Sequence, residues 1–245
     1  MIWFTSDTHY GHKNICRGSS SWKDKSGCRD FDTLEDMNKE LAFQIWDNLK
    51  DGDVLYHLGD WSFGGKDNIW IFRDLIEADI EIHLILGNHD PHIRDNNTYT
   101  RPYDKNQRPA LLKNLFASVQ NYKELTLSSA EGDRYNFVLC HYPMRVWNNC
   151  SKGTIMLHGH CHGNLGAYVD VDGTKPYKSM DVGVDPMFEL FGQYRPISLT
   201  EVLYIMEKRK VLNDIDHHKG KESNHPYYSR LYITIYIIYL IILSQ

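Results

Sequence analysis

Ile82-His83-Leu84-Ile85-Leu86-Gly87-Asn88-His89-Asp90 is an apolar run that stops on residues able to bind a divalent metal or move a proton. Four other runs stop in the same way. Ile2-Trp3-Phe4-Thr5-Ser6 ends on Asp7-Thr8-His9, and Val54-Leu55-Tyr56-His57-Leu58 on Gly59-Asp60. Phe137-Val138-Leu139-Cys140 ends on His141, and Thr154-Ile155-Met156-Leu157 passes through His158 to Gly159-His160-Cys161-His162. Short apolar runs bounded by turn residues read as buried strands. Chance would not place His, Asp and Asn at the ends of five of them. One mixed oxygen/nitrogen metal site, assembled at one edge of a sheet, accounts for all five.

The segments between these runs supply the rest of the fold class. Asp32 reads as a helix N-cap with Glu35 closing a capping box. Leu34, Met37, Leu41, Ile45 and Leu49 then recur at helical spacing, which predicts one buried face. Gly52 ends that helix. A second helix is predicted over Asp67 to Ala78 with Ile71, Leu75 and Ala78 inward. Strand, helix, strand, helix, strand is the order of an α/β fold with a largely parallel sheet, in which sites gather at the carboxyl ends of the strands.

Residues 91–120, with Pro91, Pro102 and Pro109, read as an irregular polar excursion walling the site. The second half predicts strands over Lys123–Leu127, Tyr135–Cys140, Thr154–His158, Ala167–Asp170 and Met180–Gly183. A last helix follows Thr200, with Val202, Ile205 and Met206 inward. No internal repeat is visible. Residues 1–213 are expected to form one domain, 214–226 a polar linker and 227–245 a hydrophobic C-terminal tail. The apolar run Leu231–Leu243 is shorter than the ~20 residues a membrane-spanning helix needs. It reads first as a buried or added strand; membrane association and a merely sticky segment stay open as alternatives.

The bulk numbers narrow the class. A chain of 245 residues is long enough to bury a core, and 42% hydrophobic with 24% charged residues is ordinary for a globular protein. The net charge of -5 gives no reason to expect tight nucleic-acid binding. Five cysteines without a C-x-x-C pair read as reduced thiols in a cytosol-like compartment. A cleaved N-terminal leader is not expected, since Asp7 would go with it. The expected location is therefore cytoplasmic.

Two divalent ions about 3.5–4 Å apart need a shared anionic bridge, which a carboxylate provides. Imidazoles, carboxylates and an amide oxygen favour Mn, Fe, Zn, Co or Ni over Ca. Asp7-Thr8-His9, Gly59-Asp60, Gly87-Asn88-His89-Asp90, His141 and Gly159-His160-Cys161-His162 resemble, in order and spacing, the five motifs of calcineurin-like metallophosphoesterases. The resemblance runs from residue 1 to about 200. It implies two mixed sheets sandwiched together and flanked by helices, with a dinuclear centre between loops. It implies further that Asp7, His9, Asp60 and His162 hold one metal and Asp60, Asn88, His141 and His160 the other, with Asp60 as the bridge and Mn as the leading ion. His89 would contact the phosphate and protonate the leaving oxygen, and Asp90 would orient His89.

Phosphoprotein phosphatases of this superfamily follow the second motif with a further Asp and an Arg. Gly59-Asp60-Trp61-Ser62-Phe63-Gly64 has neither, so the sequence looks closer to the small bacterial or phage-type phosphoesterases. Around the motifs, His12, Arg94 and Arg145 are candidates for touching substrate, each weighed against an ordinary solvated loop residue. His57 and His83 read as packed strand residues and His158 as a neighbour of the ligands. Cys140 and Cys161 lack zinc-site spacing and read as packing residues. Gly64-Gly65-Lys66 has the wrong spacing for a phosphate-binding loop.

The sequence thus predicts a hydrolase that cleaves phosphate esters of small molecules or nucleotides through a metal-bridging hydroxide. The missing Arg tips the expectation toward diesters over monoesters. The rival reading is a binding or scaffold protein that keeps the fold without catalysis, and the completeness of the ligand set argues against it.

Overall fold

The structure is a computed structural model that describes residues 1–103, 105, 108–165 and 177–212. In chain order the elements are β1 (Ile2–Thr5), α1 (Leu34–Asn48), β2 (Val54–His57), α2 (Lys66–Leu75), β3 (Glu81–Ile85), α3 (Pro91–Arg94), β4 (Thr98–Tyr99), β5 (Ala110–Leu111), β6 (Ser118–Gln120), β7 (Tyr122–Ser128), β8 (Arg134–Cys140), β9 (Ile155–His158), β10 (Ser179–Asp181), α4 (Val184–Phe191), β11 (Ile197–Ser198) and α5 (Leu199–Glu207). One sheet runs β11-β1-β2-β3-β6, with β1, β2, β3 and β6 parallel and β11 antiparallel at its edge. The other runs β10-β9-β8-β7, with only β7 antiparallel. β4 and β5 form a separate small hairpin.

The period-two geometry of a strand explains how the two sheets share a core. Phe4, Tyr56 and Ile85 face Phe137, Leu139, Ile155 and Leu157 between the sheets, and Val202 and Met206 of α5 close that layer. The Phe4 ring stacks on both Tyr56 (5.7 Å) and Phe137 (5.8 Å), tying one sheet to the other. The alternate residues Trp3, Leu55, Ile82 and Leu84 point the other way and are covered by α1 and α2. Val138 and Met156, on the outer face of the second sheet, pack with Trp147, Tyr177 and Leu212. This is a mixed α/β architecture of two sandwiched sheets flanked by helices.

Several local expectations shift. α1 is capped by Thr33, whose Oγ1 accepts from Asp36 N at 3.1 Å, not by Asp32. Glu35 forms no capping box and pairs with Lys39 one turn on. Met37, Leu41, Ile45 and Leu49 are buried as predicted. α2 spans Lys66–Leu75 and buries Ile69 and Phe72, leaving Leu75 44% exposed. The cause is Trp61, which rests on the Phe72 ring at 4.5 Å and donates its indole N–H to Ile69 O at 3.1 Å, turning that stripe inward. The excursion after Asp90 is more ordered than its composition indicates: it holds α3, the β4–β5 hairpin and β6, which extends the first sheet beside β3. In α5, Val202 and Met206 are buried and Ile205 is partly so. α4 was not predicted, although Pro186 and Asp185 in its first turn and Gly192 at its left-handed C-cap are standard helix-end signals.

No helix among the described residues is long and apolar enough to cross a membrane. The predicted strand Ala167–Asp170, the linker 214–226 and the tail 227–245 lie outside the described residues.

Candidate metal centre

All five motifs leave the carboxyl ends of strands, but those strands belong to two sheets rather than one. Asp7, Asp60 and Asn88 follow β1, β2 and β3, while His141 and His160 follow β8 and β9. The loops meet across the top of the sandwich. Asp7 N donates to Gly59 O (2.9 Å) and His9 N to Asp60 O (3.0 Å), so the first two motifs continue the β1–β2 pairing past the ends of the strands.

The backbone at these positions is bent in an uncommon way. Among the described residues, the non-glycine residues with positive φ are Asp7 (55°), His9 (48°), Asp60 (56°), His160 (71°), His162 (48°), Asn96 and Asn149. The first five are candidate ligands. Each such left-handed residue costs about 1–3 kcal/mol and persists only where its surroundings enforce it. Two glycines make room for the central carboxylate. A Cβ on Gly87 would stand 2.2 Å from Asp60 Oδ1, and one on Gly59 (φ +100°) would stand 2.6 Å from both Gly87 N and His141 Nδ1.

Two groups of ligand atoms result, Asp7–His9–His162 and Asp60–His141–His160, with the atoms of each within 4.8 Å of one another. Asp60 Oδ2 lies 3.4 Å from His9 Nε2 and 3.5 Å from His141 Nε2, between the groups. Asn88 Oδ1 lies 3.0 Å from both His141 Nε2 and His160 Nδ1, which adds it to the second group. The donor set fits cations. His141 Nδ1 donates to Leu58 O at 2.8 Å, which leaves its Nε2 lone pair facing the oxygens of Asn88 and Asp60. Converging lone pairs repel unless a cation sits among them. Burial drives the Asp7 carboxyl up to about 8. Burial likewise holds the imidazoles of His9 and His141 below their usual range, in the neutral form that ligates metal.

A shell of buried partners fixes these side chains, and sequence reading missed most of it. His162 Nδ1 is 2.6 Å from Asp185 Oδ2, which directs Nε2 toward Asp7. Burial works to raise the Asp185 carboxyl, but Arg29 beside it holds it well below the usual carboxylate range. Arg29 grips Asp185 with Nε (2.7 Å) and a terminal nitrogen (2.9 Å), and donates to Asp7 O (2.7 Å) and Thr8 O (2.8 Å). Asp185 orders the His162 ring as carboxylates commonly do behind metal-binding histidines. Asp181 accepts from Gly163 N and Gly183 N and braces the fifth motif. His57, read as packing, is fully buried and donates from Nε2 to Thr8 Oγ1 (2.9 Å), which donates to Trp61 O (2.7 Å). That chain pins the first motif to the second.

The substrate-facing expectations divide. His89 is exposed, with its ring 5.2 Å from that of His9. Asp90 does not hold the His89 ring. Its two oxygens accept from the backbone N–H of Gly87 (2.8 Å), Asp60 (2.9 Å) and Trp61 (3.0 Å), so it ties the second motif to the third. The His89 backbone is instead fixed by Asp60 Oδ1, which accepts from His89 N at 2.8 Å. Burial lowers the pKa of His12, whose Nδ1 caps a short 3-10 turn by accepting from Ile15 N at 3.2 Å and whose ring meets that of His9 at 5.5 Å. Arg94 pairs with the adjacent Asp95 on the surface, and Arg145 is exposed. Tyr142 flanks the centre, its ring 4.8 Å from His160. His83 is a packed strand residue stacked on Tyr56 at 4.8 Å, and His158 is buried beside Gly159. The five cysteines are free, and all but Cys161 are buried.

The fold is thus two mixed sheets with a cluster of candidate metal ligands between their loops. The calcineurin-like phosphoesterase family model matches residues 1–184, and the chain belongs to that family. It is similar to the uncharacterized protein MJ1445 of Methanocaldococcus jannaschii, at 29% identity over 88% of this chain and 96% of that protein. It is also similar to the Gene 66 protein of Mycobacterium phage D29, at 27% identity over 88% of this chain and 97% of that one. Among solved structures, a protein of unknown function from Aquifex aeolicus, AQ665, aligns with a TM-score of 0.49 at 22% identity, over 84% of this chain and 98% of its own.

Proposed function

We propose that this chain hydrolyses phosphate esters, diesters in preference to monoesters, at a dinuclear centre. Asp7, His9, Asp60 and His162 would hold one divalent ion, and Asp60, Asn88, His141 and His160 the other. The observation that carries this reading is the position of Asp60 Oδ2, 3.4 Å from one imidazole group and 3.5 Å from the other, where a single carboxylate can serve both ions. Mn leads the list, with Fe, Zn, Ni and Co compatible with the same donors. When bound, the ions would supply an acidified water and neutralise the phosphoryl oxygens.

The chain's own residues do the rest. Water adds to phosphorus, the P–O bond to the departing alcohol breaks, and the His89 imidazole gives its proton to that oxygen. The proton released from water returns to solvent and replenishes His89. His89 suits this because its ring is exposed at the mouth beside His9 while its backbone is locked to Asp60. Asp90 positions the loops rather than the acid. Among the described residues no Ser, Cys or Asp is arranged as a nucleophile, so no phosphoenzyme is needed. Four buried free thiols accord with a reducing, cytosol-like setting.

The test is to strip the protein with chelator and supply Mn, Ni, Zn or Mg. Hydrolysis of bis(4-nitrophenyl) phosphate and 4-nitrophenyl phosphate is then followed, with Asp60→Asn alongside. Metal-restored turnover, greater on the diester and lost in the variant, is expected. A protein that binds two ions yet turns over neither ester would favour a binding role, and one that binds no metal would end the proposal.

A further inference from the structure

A chain of ring contacts borders the centre and closes back on His9 through His12. From His9 it passes to His89 (5.2 Å), to Phe63 (5.1 Å), to His12 (3.9 Å) and on to Trp22 (6.1 Å). Phe63 is 37% exposed and Trp22 47%, so two large aromatic faces border the mouth of a polar site. Beside them lies a cavity of about 160 Å³ lined by Phe63, Gly64, Ile69 and His92, and by the candidate ligand Asn88 and the candidate acid His89. His89 therefore stands on the boundary between the metal ligands and this cavity.

We propose that the cavity receives the departing group of the ester, and that the group it selects carries a planar aromatic ring. The inference rests on the hydrolase reading above and adds the substrate class. Three observations carry it. The candidate acid His89 lines the cavity, so the remainder of an alcohol whose oxygen it protonates would extend into it. Its volume of about 160 Å³ admits such a ring, since a protein cavity of about 150 Å³ holds a benzene molecule. Its wall is already in place: Phe63 N donates to Tyr10 O (2.8 Å) and Phe63 O accepts from Asn68 Nδ2 (2.6 Å). A side chain whose backbone is held before the ligand arrives loses less freedom when a second ring stacks on it.

Methyl 2-phenylethyl phosphate decides the matter, because either alcohol can leave and the two are similar leaving groups. The full chain loaded with Mn is expected to release 2-phenylethanol over methanol by about 5-fold or more, the range of one aromatic stacking contact. Phe63→Ala is expected to bring that partition close to one. His92→Ala, elsewhere in the lining, should lower it in the same direction and serves if the first variant folds poorly. The 5′-(methyl phosphate) ester of uridine separates the two sources of such a ring: release of uridine faster than of 2-phenylethanol marks a nucleobase, and slower release a simple aryl group. Predominant methanol release or a partition unchanged in both variants overturns the inference while leaving the hydrolase intact. Release of neither alcohol from any ester overturns the hydrolase reading as well.

Discussion

Replacing Asp185 by Asn tests whether the buried Arg29–Asp185 pair governs one half of the metal centre. Asp185 is the partner of His162 Nδ1 at 2.6 Å, and it accepts both arms of an Arg29 side chain that is 2% exposed. Loss of such an outer carboxylate typically weakens metal binding about 10- to 100-fold, which is roughly 1.4–2.7 kcal/mol. His162 belongs to the Asp7–His9 group, and the Asp60–His141–His160 group makes no contact with Asp185. One ion should therefore weaken by that factor while the other holds. Leaving Arg29 charged and unpaired in the interior adds a stability loss of about 3–5 kcal/mol. At roughly 2–4 °C per kcal/mol for a domain of this size, the melting temperature of the metal-free protein should fall by about 6–20 °C. Arg29 holds the Asp185 carboxyl below its ordinary 3.8, so its contribution is fully present above that pH and fades as the pH falls further. The gap between wild type and variant should narrow in acid accordingly. Isothermal titration with Mn, together with the metal content after dialysis, provides the readout. Equal weakening of both ions, or two unchanged affinities, would refute the assignment.

Four further outcomes follow from the geometry. Asp60→Asn should lower the occupancy of both ions and abolish turnover, as metal content and a diester assay will show. His89→Ala should keep both ions and lose rate, most for poor leaving groups and least for 4-nitrophenol; full activity on an alkyl ester would contradict its role as acid. Gly87→Ala puts a Cβ against Asp60 Oδ1 at 2.2 Å and should depress metal affinity without unfolding the chain, as titration and melting together would reveal. Phe4→Ala removes the ring that joins the sheets and should cost about 3–5 kcal/mol in denaturant unfolding.

How much of this was legible in the sequence depended on whether a feature was local. The strands carrying the ligands were readable because an apolar run and its polar stop are adjacent in the chain. Met37, Leu41, Ile45 and Leu49 were readable because one helix face repeats at a fixed spacing. Arg29 and Asp185 were not: they lie far apart in sequence, in a Gly/Ser-rich loop and an unpredicted helix, and nothing local marks an Arg as buried. The family resemblance put Asp90 behind the His89 imidazole, whereas the turn sends its carboxylate to backbone amides. The inner face of α2 was shifted because Trp61, from another loop, selects it. β6 is three residues of mixed polarity and offers no pattern to read.

The division of ligands between two sheets has a bearing on how the protein is made. A nascent chain that has emerged only through β6 already carries Asp7, His9, Asp60 and Asn88, yet lacks His141, His160 and His162. Neither group of donors is complete until β9 and the turn after it have left the ribosome and docked. On the proposed reading, metal capture would be a late event that certifies assembly of both halves, and a chain stalled or cleaved before residue 162 lacks part of the candidate ligand set.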